Sequence, residues 1–148
     1  MYLTPELKAY YQKDFTDNVL PCKDEYWALH PSLIDLCQDI NKNEHIQTIF
    51  SCKAPKGEEI SYLYFVADEI GVKLLENLFD KLTDVSDFVL YMVNQPEEYK
   101  SGSDGSIQMG CLVDTNYFNI NVHCFTLISD DKHEQKKFWR TIKKCLVV

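Results

Sequence analysis

Ile60-Ser61-Tyr62-Leu63-Tyr64-Phe65-Val66-Ala67-Asp68-Glu69-Ile70-Gly71-Val72-Lys73-Leu74-Leu75-Glu76-Asn77-Leu78-Phe79-Asp80-Lys81-Leu82 changes character halfway. Residues 60–66 are apolar at odd and even positions alike, as a strand covered on both faces requires. After Gly71, Val72, Leu74, Leu75, Leu78, Phe79 and Leu82 recur at helical spacing. Lys73, Glu76, Asp80 and Lys81 fall between them, so this is an amphipathic helix with one face for the core. A central strand followed by a helix that must pack on something sets the class: a sheet with helices against it.

Upstream, Ile46, Thr48, Phe50 and Cys52 alternate with Gln47 and Ser51. The turn residues Ala54-Pro55-Lys56-Gly57-Glu58 then join this strand to residues 60–66 as a hairpin. Two helices come before it. Thr4-Pro5-Glu6 supplies an N-cap, a first-turn proline and a first-turn acid, with Leu7, Tyr10, Tyr11 and Phe15 at helical spacing over 5–16. Pro31 begins a second helix carrying Leu33, Ile34, Cys37 and Ile40 on its inner side.

Downstream, Phe88 to Val93 reads as a short strand. Residues 94–106 are the one stretch of low hydrophobicity and are expected to be a mobile loop. Ile107–Val113 and Tyr117–Ile128 read as two further strands. In the second, Phe118, Ile120, Val122 and Cys124 face one way, and Asn119, Asn121 and His123 the other. Asp130 or Asp131 caps a last helix bearing Phe138, Trp139, Ile142 and Cys145. The expected fold is α+β: one domain over 1–148, in the order ααββαβββα, with a mainly antiparallel five-stranded sheet covered by helices on at least one face. Its element order resembles that of profilin-like and longin-like folds; the resemblance is topological, rests on no motif and implies no function.

Composition narrows the function classes. The chain has 148 residues, 45% of them hydrophobic, with nine Tyr, eight Phe and two Trp. That is enough to build a core without disulfides. No apolar run approaches the roughly 18 residues of a membrane span. The residues from Met1 to Leu7 lack the pattern of a secretory signal, so the expected location is the cytoplasm. Six cysteines, at 22, 37, 52, 111, 124 and 145, contain no CxxC. They read as reduced structural thiols.

Formal net charge is −8. It divides into −12 over residues 1–130 and +4 from Asp131 onward. An acidic body disfavours phosphate-backbone binding and favours a basic partner. There is no GxxxxGK[ST] or GxGxxG, and Gly102-Ser103-Asp104-Gly105 is followed by no helix, so no nucleotide cofactor is expected. His30, His45, His123 and His133 are scattered without metal-ligand spacing, and no metal is expected. His123 and Cys124 are neighbours on a strand, point to opposite faces and cannot share an ion.

These features favour a binding protein over an enzyme: a cytosolic acidic module that inhibits or shields a basic protein. Its general character resembles that of the acidic immunity proteins that neutralise bacterial toxins, although no motif carries the likeness. The expected contacts are Asp84, Asp87, Glu97, Glu98 and Asp104, with Tyr99 as an aromatic anchor. A secretion chaperone or adaptor is the alternative of the same class. A small enzyme or ligand-binding domain would use the polar strand face Asn119, Asn121 and His123, with His123 as general base. Cys145-Leu146-Val147-Val148, downstream of Lys136, Lys137, Arg140, Lys143 and Lys144, also fits a loose prenylation signal at Cys145.

Overall fold

A computed structural model describes residues 2–22, 31–52, 59–94 and 120–147. Helix α1 (Pro5–Asp14) starts where Thr4 Oγ1 accepts the Leu7 N–H, and it runs on through a wider turn over Phe15–Val19. After α2 (Pro31–Ile40) come strands β1 (Ile46–Cys52) and β2 (Ile60–Ala67). Helix α3 (Glu69–Val85) is capped by Asp68, β3 is Val89–Asn94, β4 is Val122–Ile128, and α4 (Lys132–Leu146) is capped by Asp131.

The four described strands form one antiparallel sheet in the order β1-β2-β4-β3. The fold is therefore α+β with an antiparallel sheet of four described strands. The expected fifth strand, Ile107–Val113, lies outside the described residues. β2 is central, which accounts for its apolar character at both parities: Ile60 pairs with Ile128 on one side, and Ala67 with Ile46 on the other.

Both faces of the sheet carry helices, one more than the sequence required. On the first face Leu63, Phe65, Phe125, Leu127 and Val89 pack with residues of α2, α3 and α4, among them Ile34, Leu75, Leu78, Leu82, Phe138 and Ile142. On the second, Tyr64, Val66, Val122, Cys124 and Ile120 pack with Leu3, Leu7 and Tyr11 from the start of the chain and α1.

This second layer corrects the reading of β4. The alternation itself holds, with Val122 and Cys124 on the α1 side and His123 opposite. But the His123 face is the one covered by the main helical layer, and His123 is only 3% exposed. Polar residues on one parity suggested an open face; packing closed it around His123. Asn121 is half-buried, and Asn119 lies outside the described residues.

Candidate functional site

Of the six sequence-predicted contact residues, two are described. Asp84 sits in the last turn of α3, Asp87 in the turn into β3, and both are exposed. Glu97, Glu98, Tyr99 and Asp104 lie outside the described residues. Beside the two aspartates is a feature that the sequence did not reveal. Phe88 is 57% exposed, Leu90 48% and Ile60 46%, with Met92 and Ile128 also open.

The register explains why these residues lie together. Ile128 pairs with Ile60 and donates its N–H to the Phe88 carbonyl at 3.1 Å. Leu90 stands opposite Thr126, and Met92 opposite Cys124. Pleating puts Ile60, Thr126, Ile128, Leu90 and Met92 on the face that α1 covers. The chain start and α1, however, pack at the other end, over Tyr64, Val66, Val122 and Cys124. Half of that sheet face is thus apolar and open among the described residues.

Acids surround it. Glu59 precedes Ile60, and Asp130 and Asp131 follow Ile128; the two segments are tied by the Ser129 N–H on the Glu59 carbonyl at 2.6 Å. Asp84 and Asp87 stand before Phe88, and all five acids are exposed, with Lys81 and Lys132 the described cations near them in sequence.

Of the other predicted chemistry, His123 is buried, Asn121 and Cys145 are half-buried, and Asn119 lies outside the described residues. His123 Nδ1 lies 2.7 Å from the Tyr91 hydroxyl, and its Nε2 meets no partner among the described residues. Burial pulls the imidazole down to about 4 and pushes the Tyr91 phenol up to about 12, with Glu76 adding to the second shift. The ring is wedged between Tyr91 and the core and packs there as an interior group. The Cys124 thiol is on the opposite face, and burial pushes it up to about 12, so it is held as an inert thiol. Cys145 is half-buried in the last turn of α4, packed against the core beside the fully buried Leu146. Attaching a lipid there would require that turn to lift away.

A second polar constellation went unnoticed in the sequence, where Asp68 was one of many carboxylates and His45 one of four scattered histidines. His45, just before β1, places Nδ1 2.6 Å from Asp68 Oδ2, just after β2. The other Asp68 oxygen accepts the Gly71 N–H at 2.8 Å, so the carboxylate caps α3 and orients the ring at once. Lys8 of α1 reaches the same corner and donates to the Asn41 carbonyl at 2.9 Å, the Ile46 carbonyl at 2.7 Å and Gln47 Oε1 at 2.9 Å. Burial pulls this ammonium down to about 8 against the favourable field of Asp68. With Leu3, Thr4, Pro5, Ala9, Gln12 and Glu44 these groups line a cleft of about 490 Å³. The residues are 23 to 60 apart in sequence, so only spacing-independent cues, the cap at Asp68 among them, could have pointed here.

Among the described residues no group of three His, Cys, Asp or Glu side chains is placed to hold a metal ion. No described helix is long and apolar enough to cross a membrane. Comparison of the chain with family models, with curated proteins and with solved structures returns no match.

Proposed function

We propose that this chain is an acidic protein-binding module of the cytoplasm that docks a basic partner and inhibits or shields it. The observation that carries the reading is the open half of the sheet face: Ile60, Phe88, Leu90, Met92 and Ile128 as an apolar centre, bordered by Glu59, Asp84, Asp87, Asp130 and Asp131. Contiguous exposed apolar surface with a polar border is the general anatomy of a protein contact. The centre supplies affinity through burial, and the acidic border steers a basic surface and fixes its register. A body of −12 over residues 1–130 extends the same attraction to longer range.

The test is to identify the protein retained by the tagged chain from its own cell, purify it, and measure association against ionic strength. Leu90→Asp should abolish binding while the variant stays folded. Asp84→Asn with Asp87→Asn should slow association and flatten its salt dependence. A partner bound equally well by all three proteins would overturn the site. Binding lost in Leu90→Asp but indifferent to salt and to the aspartates would favour the chaperone or adaptor, which holds a client's apolar segment.

A further inference from the structure

Helix α4 is charged along one side only. At 3.6 residues per turn, Lys136, Arg140, Lys143 and Lys144 fall within about 100° of its circumference. They stand opposite Phe138, Trp139, Ile142 and Leu146, which are buried in the core. All four cations are exposed, and the one acid of α4, Glu134, lies outside their arc. Among the described residues none of the four side chains makes an ion pair or a hydrogen bond. This basic stripe sits on a chain that carries −12 over residues 1–130.

The open half of the sheet face has the complementary make-up. Glu59, Asp84, Asp87, Asp130 and Asp131 border it, all exposed, and no described lysine or arginine pairs with any of them. Its centre is the apolar group Ile60, Phe88, Leu90, Met92 and Ile128. Lysine and arginine suit both parts, because their aliphatic stems cover apolar surface while the charged heads reach outward to carboxylates. The lengths agree as well. From Lys136 to Lys144 a helix rises roughly 12 Å, and from Phe88 to Met92 a strand extends roughly 13 Å. One molecule cannot join the two surfaces. α4 packs on the Phe65 and Phe125 side of the sheet and turns its stripe away from it, whereas Leu90, Met92 and Ile128 are on the α1 side.

We infer that a second copy of this chain occupies the open face, the α4 stripe of one molecule lying along Phe88, Leu90 and Met92 of the next with its cationic heads on the acidic border. The inference rests on the reading of this face as a docking surface and names an occupant for it. Because the two surfaces differ, the contact is heterologous. Each pair keeps one stripe and one apolar face unused, so association continues head to tail instead of stopping at a two-fold dimer. A basic partner of another kind competes with the second copy for the same residues.

Sedimentation velocity on the full chain tests this. The sedimentation coefficient of the native chain is expected to climb with concentration past the value of a dimer. Two variants separate the halves of the contact: Lys136→Gln with Arg140→Gln and Lys143→Gln, all at exposed positions, and Leu90→Asp on the apolar face. Each alone is expected to stay monomeric at every concentration. Mixed in equal amounts they should form a dimer and nothing larger, since Leu90→Asp keeps its stripe and the triple variant keeps its face. That dimer also shows both variants to be folded. A native chain that stays monomeric overturns the inference, as does self-association that survives in the triple variant, or a mixture that stays monomeric. None of these outcomes bears on the partner retained from the cell, so the docking reading stands or falls on its own measurement.

Discussion

His123 shows how much one buried side chain can do to stability without doing chemistry. Its folded value of about 4 lies below the ordinary histidine value of 6.5 because burial disfavours the charged ring. Between those values the unfolded chain binds the proton and the folded chain does not, so stability rises with pH across the window. The contribution is fully present above pH 6.5 and is lost as pH falls towards 4. A gap of this size corresponds to about 3 kcal/mol. Denaturant melts at pH 7 and pH 4.5 should show a loss that His123→Gln largely removes; an unchanged pH profile in the variant would assign the loss to other groups. Gly71 is constrained by space instead. A Cβ built there would stand 2.2 Å from the His45 carbonyl oxygen and 2.9 Å from Ala67 Cβ. Gly71→Ala must push the His45 turn away from α3, with a cost of about 1–3 kcal/mol in a thermal or denaturant melt.

At the scale of elements, specific polar contacts reinforce the apolar packing of helices on strands. Lys8 ties α1 to the turn before β1 through three acceptors, two of them backbone carbonyls. Asn41 continues the tie, its Oδ1 accepting both the N–H and the hydroxyl of Thr48 at 2.8 and 2.9 Å. Lys8→Met keeps the aliphatic stem and strands those acceptors, which should cost about 1–3 kcal/mol. Hydrogen exchange should locate the damage, with faster exchange in α1 and in β1 at Ile46–Thr48, while the α3–α4 layer keeps its protection. Uniformly faster exchange would mean that α1 is part of the global folding unit. Because burial pulls Lys8 down to about 8 from 10.5, its ammonium is held at some cost, and stability contributed by this group rises as pH climbs through that interval.

For the whole molecule, the arrangement separates two surfaces. Among the described residues, the α1 side of the sheet is covered at the Val66–Val122 end and open at the Ile60–Ile128 end, so one face both completes the core and presents an apolar patch. The uneven charge acts at this scale also. If steering sets the association rate, the rate constant should fall steeply between low and physiological salt while dissociation changes little. Stopped-flow measurements with the purified partner read the two separately. A salt effect confined to dissociation would place the charges in close contacts instead of in the long-range field.

Periods of 2 and 3.6 located β1, β2 and α4 to within a residue or two, and α3 to within about three at each end. Thr4 caps α1 and Asp131 caps α4 as their side chains predict, because caps and periodicity depend on neighbours in the chain. Asp68 could equally have been recognised as the cap of α3. The faces were another matter. Alternation along β4 separated Val122 and Cys124 from His123, yet which side would be covered depended on how far α1 and the α3–α4 pair extend over the sheet. That decision buried His123 and exposed Leu90, the reverse of what their polarity suggests. The His45–Asp68–Glu44 arrangement was equally out of reach, since it exists only because the β1–β2 pairing brings Ile46 opposite Ala67 and thereby sets the residue before one strand against the residue after the other. Secondary structure is written in neighbouring residues; burial and site geometry follow from contacts between segments that the chain keeps far apart.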